Sequence, residues 1–255
     1  MVSYEIETDV CLFDLDGTIV STTVAAEAAW TNLCEKHGVD PQELFKVSHG
    51  SRTDEMFARF FPDIDNTDNK GVFELERAIA DDYPETVTVI PGARDLLMAL
   101  DKGTGADDGV NFKERDNRRK WAIVTSGTPY LATSWFKTIL RDVGEPHVFV
   151  TAVDVTKGKP DPEGYMLARK RLAEDWGYTP VASCKAIVFE DAPVGIEAGK
   201  RMGAITVGLT TSYPKERMFA AGADYVVSDL TNVYVIKNPL KGHTVIRITD
   251  PLSRD

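Results

Sequence analysis

The sequence predicts an α/β protein, with a doubly wound, mostly parallel sheet as its core and a small helical cap inserted after the first strand. Two observations predict the core. Short apolar runs alternate along the chain with segments of helical pattern, and each run is apolar on both faces, as in a central parallel strand. A third observation predicts the insertion, because residues 21–90 contain helical patterns and no good strand.

The strands of the core are predicted from uninterrupted apolar runs. These runs are residues 10–13, 121–124, 148–150, 186–189, 205–207 and 225–227. Between them, residues 164–176 and 195–202 have the composition and spacing of helices that cover a sheet. The order of strands and helices therefore indicates one wound sheet, and not an all-helical or all-β fold.

The helical cap is predicted from the segment that follows the first strand. Residues 25–30 open it with strong helix formers, and Pro91-Gly92 marks the return to the core. Roughly seventy residues is too long for an ordinary crossover connection. We therefore expect a core domain of residues 1–20 and 91–255, a cap of residues 21–90, and a polar surface insertion at residues 102–119.

Composition and charge narrow the possible partners. The chain has 29 Lys+Arg and 40 Asp+Glu, a formal net charge of −11, which disfavours binding to nucleic acid or to an anionic membrane. No apolar run has the length of a membrane helix, and no basic region followed by an apolar stretch opens the chain. Three widely spaced cysteines do not indicate a disulfide framework. We expect a monomer in the cytoplasm, with a small molecule as its only partner.

The most informative residues are Asp14 and Asp16, which follow the first predicted strand in the run Phe13-Asp14-Leu15-Asp16-Gly17-Thr18. Ligands of open α/β sheets bind at the carboxyl ends of strands. Two carboxylates this close repel each other unless a cation or a shared proton separates them, and Mg²⁺ prefers such oxygen ligands. The alternative is a simple turn, because Asp-Gly is a common turn sequence.

Three further motifs follow three other predicted strands. Thr125-Ser126-Gly127 offers a hydroxyl and backbone amides to a phosphoryl oxygen, Lys159 adds an ammonium group, and Glu190-Asp191 adds two acids. Each alone could be a solvated loop. Because the carboxyl ends of parallel strands meet at one edge, we expect them to assemble into one site with Asp14 and Asp16.

These motifs, in this order, resemble the four signature motifs of the haloacid dehalogenase superfamily, and the helical insertion resembles the cap of its first subclass. Longer segments, including residues 11–29, 49–53, 121–127, 158–165 and 188–199, resemble the fungal family of 2-deoxyglucose-6-phosphate phosphatases. The family of glycerol-phosphate phosphatases is similar at a greater distance. The resemblance runs over nearly the whole chain.

The resemblance implies a phosphatase that forms a phospho-aspartate. In that interpretation Asp14 is the nucleophile and Asp16 the general acid and base. Mg²⁺ is the implied cofactor, held by the Asp14 and Asp191 carboxylates and the Asp16 backbone carbonyl. Glu190 is either a direct ligand or a residue that orients water.

The resemblance also implies the contacts of the substrate. Ser126, Gly127, Lys159 and the backbone amide of Leu15 are expected to bind the phosphoryl oxygens. Arg52 of the cap is expected to contact the substrate, although an ordinary surface arginine would fit the same position, and His49 needs no special role. The substrate is expected to be a small phosphorylated sugar, 2-deoxyglucose 6-phosphate among them. The alternatives are a phosphatase of glycerol or polyol phosphates and a hexose-phosphate mutase of the same superfamily.

Overall fold

A computed structural model describes residues 2–48, 50–115 and 117–255. Its strands are β1 (Ser3–Thr8), β2 (Val10–Phe13), β3 (Val20–Ser21), β4 (Thr88–Val89), β5 (Trp121–Val124), β6 (Phe149–Val150), β7 (Ala186–Glu190), β8 (Ile205–Leu209), β9 (Tyr225–Val227), β10 (Val233–Lys237) and β11 (Thr244–Thr249). Its α-helices are α1 (Thr23–His37), α2 (Pro41–Ser48), α3 (Thr53–Phe60), α4 (Lys70–Asp81), α5 (Ala93–Leu100), α6 (Pro129–Lys137), α7 (Glu163–Trp176), α8 (Pro193–Met202) and α9 (Lys215–Ala220).

The core is a six-stranded sheet in the order β6-β5-β2-β7-β8-β9, and all five pairings are parallel. Each of the six predicted apolar runs forms one of these strands, so the predicted fold class is confirmed. All four residues of β2 are buried. Cys11 and Phe13 pack into one apolar cluster and Val10 and Leu12 into another, because alternate side chains leave opposite faces of the sheet. Helices therefore cover both faces.

The four helices α1–α4 and the loops that join them, here called the helical block, lie between β3 and β4. These two short strands pair antiparallel, Val20 opposite Val89, and so bring the beginning and the end of the block together. Inside the block Trp30 stacks on Phe61 at a centroid distance of 6.0 Å and contacts Phe57 at 5.9 Å. The sequence predicts no strand within residues 21–90, and β4 differs from that prediction because two residues are too few to show an alternation.

A second sheet, β1-β11-β10, is antiparallel and was not predicted. Asn238, the residue after β10, contacts the segment that follows α5, which we expected to be a polar surface insertion. The described residues of this segment are packed against the core more firmly than their polarity predicts. Thr104 and Asn238 exchange hydrogen bonds, Phe112 is buried against Trp176, and Arg119 is almost fully buried. Within the described parts of the chain, none of the helices combines the length and the apolar character that crossing a membrane requires.

Candidate active site

Parallel pairing brings the predicted motifs to one edge of the sheet. Asp14 directly follows β2, and its backbone N–H donates to the carbonyl of Phe189 in β7 (3.0 Å). The Nζ of Lys159 lies 2.5 Å from Asp14 Oδ1 and 2.7 Å from Glu190 Oε1, and it also donates to the carbonyl of Val124 (3.2 Å). The ends of β2, β5 and β7 are thus joined through one ammonium group.

Lys159 is a buried cation among buried acids. Its side chain is 6% exposed, and the side chains of Asp14 and Glu190 are 5% and 0% exposed. Burial alone would lower the pKa of Lys159, but the two facing carboxylates outweigh burial and raise it. The residue is therefore a fixed positive charge at the end of β2.

Glu190 accepts hydrogen bonds from three protein donors. Oε1 accepts from Lys159 and from the Tyr165 hydroxyl (2.9 Å), and Oε2 accepts from the Ala192 backbone N–H (3.0 Å). Helix α8 approaches so closely that a Cβ on Gly195 would lie 1.7 Å from Glu190 Oε1. These contacts fix the orientation of Glu190 and use about three of the roughly four acceptor positions of its carboxylate.

Asp191 lies beside the glycine of the first motif. The Ser212 hydroxyl donates to Asp191 Oδ2, and the Thr18 hydroxyl is 3.5 Å from Oδ1. Gly17 has a φ of +93°, and a Cβ there would lie 2.0 Å from Asp191 Oδ2. The turn after Asp16 therefore needs a glycine both for its backbone conformation and for the approach of this carboxylate.

The carboxyl groups of Asp14, Glu190 and Asp191, here called the carboxylate cluster, have oxygens within 4.8 Å of one another, and all three residues are buried. Burial is the main cause that raises the pKa of Asp14 and of Asp191, and repulsion from Glu190 adds to it. Among the described residues, Lys159 is the cation that pairs with this cluster. One ammonium group does not balance three ionised carboxylates, so negative charge is in excess. Buried carboxylate oxygens in this arrangement fit Mg²⁺.

Asp16 has a different environment from Asp14. The Thr125 hydroxyl is 3.3 Å from its Oδ2, whereas Oδ1 is buried with no hydrogen-bond partner among the described residues. Burial raises the pKa of Asp16, and the hydroxyl groups nearby offset only part of the rise. The two aspartates of one motif are thus distinguished, since one is paired with an ammonium group and the other is not.

The loop after β5 places the predicted phosphate-binding groups beside Asp16. The Ser126 hydroxyl donates to the carbonyl of Gly50 in the helical block (2.9 Å), and the Gly127 N–H donates to the Thr125 hydroxyl (3.0 Å). The carbonyl of Leu15 accepts the backbone N–H groups of Ile19 and Val20 in the turn after β2. Of the helical block, the segment around Gly50 is therefore in contact with the site.

Arg52 lies close to the site but outside its main cavity. Its guanidinium forms an ion pair with Asp54 (2.9 Å) and lies 3.5 Å from the carbonyl of Thr156. It borders a cleft that Lys159 also lines. The neighbouring cavity, into which Asp14 and Asp16 open, is not lined by Arg52. His49 lies outside the described residues.

The main cavity lies between the sheet edge and the helical block. The core contributes Asp14, Asp16 and Ser126, and helix α1 contributes Glu27 and Trp30. The other residues that line it are Gly17, Thr22, Thr23, Ala26, Phe45, Ser48, Gly50, Ser51, Thr53, Ile79, Thr125, Gly127, Leu131 and Ser212. Hydroxyl groups and apolar side chains thus face a polar floor, as is common in pockets for small polar ligands.

Three residues of the site were not singled out from the sequence. Tyr165 and Ser212, which donate to Glu190 and Asp191, have no local sequence signal because their partners are distant in the chain. Glu76 has one. It stands within the apolar stripe of α4, where Val72 and Ile79 are buried, and a charged residue in such a stripe indicates a buried polar partner.

Comparison with known proteins agrees with this geometry. Residues 8–203 match the family model of the haloacid dehalogenase-like hydrolases. The chain is 60% identical over 247 residues to 2-deoxyglucose-6-phosphate phosphatase 2 of Saccharomyces cerevisiae, covering 97% of this chain and 98% of the relative. It is 36% identical to glycerol-1-phosphate phosphohydrolase 1 of the same organism, covering 88% and 83%. In structure it is similar to a hydrolase from Pseudomonas syringae, with a TM-score of 0.66, 24% identity and coverage of 88% and 95%.

Proposed function

The chain belongs to the haloacid dehalogenase-like hydrolase family, and from that premise we propose that it is a phosphomonoesterase of small sugar phosphates, with 2-deoxyglucose 6-phosphate as a substrate. One observation carries the proposal. The carboxylate of Asp14 is held by a buried ammonium group at the cavity, which is also lined by Asp16, whose Oδ1 has no hydrogen-bond partner among the described residues. The identity to a named sugar phosphatase supports the choice of substrate.

In the proposed reaction Asp14 attacks the phosphorus atom of the ester, and the bond from phosphorus to the sugar oxygen breaks. Asp16 gives its proton to that oxygen, and the sugar leaves as a neutral alcohol. Asp16 then takes a proton from water, the water oxygen attacks the phosphorus of the phospho-aspartate, and phosphate leaves while Asp14 is regenerated. Burial raises the pKa of both aspartates, so the two roles rest on their partners: the Lys159 ammonium group favours the ionised form of Asp14, whereas Asp16 has no such ammonium partner and is proposed to begin the cycle protonated.

A magnesium ion fits the excess of buried carboxylates at this site. Asp14, Asp191 and the backbone carbonyl of Asp16 would hold it, and when bound it would supply positive charge between the nucleophile and the phosphoryl group. We assign Glu190 an orienting role, because it holds the Lys159 ammonium group beside Asp14 and is itself fixed by Tyr165 and the Ala192 N–H.

The remaining predicted contacts concern the phosphoryl oxygens and the sugar. Ser126, Gly127, Lys159 and the amide of Leu15 are proposed to bind the phosphoryl oxygens, and Arg52 to contact the substrate from the edge of the neighbouring cleft. We propose residues 21–90 as the cap that shields the phospho-aspartate from bulk water, and residues 1–20 and 91–255 as the core.

The cellular setting is also a proposal. Cys11, Cys34 and Cys184 are buried as free thiols. Unpaired cysteines are typical of proteins in a reducing compartment. We propose that the protein acts as a monomer in the cytoplasm.

The test is release of inorganic phosphate from 2-deoxyglucose 6-phosphate, glucose 6-phosphate, glucose 1-phosphate and glycerol 3-phosphate. We expect the fastest release from the deoxy sugar, complete loss in EDTA and recovery with Mg²⁺. Asp14→Asn should keep the fold and lose turnover, whereas Asp63→Asn, at an exposed position, should match the parent.

The other outcomes are distinct. Preference for glycerol 3-phosphate would move the specificity to the second family of relatives. Conversion of glucose 1-phosphate into glucose 6-phosphate without free phosphate would identify a mutase. A folded protein that releases no phosphate from any of the four esters would show that the proposal is wrong.

A further inference from the structure

Glu76 is a fully buried carboxyl group that the proposed chemistry does not use. It lies on α4 of the helical block, is 0% exposed, and has the buried residues Val72, Leu75 and Ile79 around it on the same helix. An acid without partners in such a place would cost several kcal/mol. Its position therefore requires strong hydrogen bonds from other elements.

Three hydrogen bonds reach this carboxyl group from two other helices. The Thr53 hydroxyl, at the start of α3, donates to Oε1 (2.6 Å). The backbone N–H and the hydroxyl of Thr128 donate to Oε2 (2.8 and 2.5 Å). An ionised carboxylate accepts all three without needing a proton of its own. Glu76 thus joins the helical block to the beginning of α6 in the core.

The beginning of α6 depends on this outside acceptor. Thr128 precedes Pro129, the first residue of the helix, and makes no side-chain cap bond to its own helix. The positive end of the helix dipole favours an anion at this place. A second contact joins the same two helices, because the Tyr130 hydroxyl lies 3.0 Å from both carboxylate oxygens of Asp81.

Thr128 is the residue that follows the predicted phosphate-binding groups. The preceding residues Thr125, Ser126 and Gly127 contact Asp16, Gly50 and each other. A loop of three residues between β5 and a fixed Thr128 has little freedom to move. The position of the Ser126 hydroxyl and of the Gly127 N–H is therefore set partly by a carboxylate on the helical block.

We propose that Glu76 is a positioning residue of the active site: its carboxylate holds Thr128 from across the interface and thereby presents Ser126 and Gly127 to the phosphoryl group. Glu76 itself does not line the cavity. The inference rests on the proposed function, since it assigns a purpose to the loop of that same site. It makes the helical block part of the phosphate-binding apparatus, in addition to enclosing the cavity.

The test uses Glu76→Met, which keeps the length of the side chain and removes every acceptor, and Glu76→Gln, which restores one carbonyl oxygen. Glu74→Met is the matched control, because Glu74 is exposed on the same helix. Two quantities are measured on the folded variants. They are the inhibition constant of inorganic phosphate with KM and kcat, and hydrogen–deuterium exchange in the peptide that covers residues 125–132.

We expect Glu76→Met to raise KM and the inhibition constant of phosphate by about tenfold, the size of one lost charge-assisted hydrogen bond. Its exchange at residues 125–132 should be faster than in the parent. Glu76→Gln should fall between Glu76→Met and the parent, and Glu74→Met should match the parent in both measurements. If Glu76→Met does not fold, Glu76→Gln and Thr128→Val carry the same two measurements.

The result that would overturn the inference is a folded Glu76→Met protein whose KM and inhibition constant of phosphate equal those of the parent, whatever its melting temperature and exchange. Glu76 would then be a packing residue only. Failure of the proposed function is separate, because it would appear as absence of phosphate release in the parent, while the exchange experiment still reports on the contact between Glu76 and Thr128.

Discussion

Replacement of Lys159 by methionine removes the buried positive charge that pairs with Asp14 and Glu190. The ammonium group lies 2.5 and 2.7 Å from two carboxylates, and its side chain is 6% exposed. Breaking a buried ion pair by removing one partner costs about 3–5 kcal/mol, because the remaining charge is left uncompensated. At about 2–4 °C per kcal/mol for a chain of this size, the melting temperature should fall by about 6–20 °C.

The assay is thermal unfolding, with circular dichroism as the readout. The melting temperature is measured first in EDTA and then with saturating Mg²⁺. A divalent cation neutralises the same carboxylates, so we expect Mg²⁺ to recover part of the loss. Turnover should fall by about 10²–10³-fold, as when one oxyanion donor is removed.

The matched control is Lys157→Met in the same loop. Lys157 is 74% exposed and lies 3.9 Å from Asp161, and an exposed pair of this kind contributes about 0–1 kcal/mol. If the two variants unfold at nearly the same temperature in EDTA, Lys159 does not compensate the carboxylate cluster and the reasoning is refuted.

Two further predictions concern the helical block. Gly50→Ala should raise KM several-fold in phosphate-release kinetics, because Gly50 has a φ of +79° and the new Cβ would lie 2.5 Å from Ala192 Cβ in the core. The control is Gly38→Ala, because Gly38 has a φ of +68° and no atom within 4 Å of the added Cβ. This variant should have a lower melting temperature through backbone strain and an unchanged KM. Equal KM values in both variants would contradict a role for the contact between Gly50 and Ala192. Glu27 is the one charged side chain that the described helical block contributes to the cavity, and a lysine there would attract a second phosphate. We therefore expect Glu27→Lys to raise kcat/KM for fructose 1,6-bisphosphate, relative to kcat/KM for 2-deoxyglucose 6-phosphate, by about tenfold or more. An unchanged ratio would show that Glu27 does not face the bound sugar.

The parallel sheet could be predicted from the sequence because its strands are buried on both faces. β2, β5 and β9 have the bounds that their apolar runs predicted. The antiparallel sheet could not be predicted by the same reasoning. In β1, Ile6 is buried while Glu5 and Glu7 are exposed, so an alternating pattern and not a continuous apolar run marks this strand.

The grouping of the site residues could be predicted for a similar reason. Strand ends that meet at one edge bring Asp14, Glu190 and Asp191 together, and the loop after β6 brings Lys159 to the same edge. Their individual contacts could not be predicted. Whether Glu190 is free to bind a metal depends on donors such as Tyr165, whose side-chain direction is decided by tertiary packing. The local sequence does not determine the direction of that side chain.

The hydrogen bond from Ser126 to the Gly50 carbonyl has a consequence for turnover. A hydroxyl group has one proton to donate, so in the proposed site Ser126 cannot serve Gly50 and a phosphoryl oxygen at the same time. Substrate binding therefore exchanges one partner for another, and the net gain in affinity is smaller than the gross strength of the new bond. The same exchange runs backwards when phosphate departs. In the proposed site this exchange lowers the affinity for substrate and for product phosphate alike.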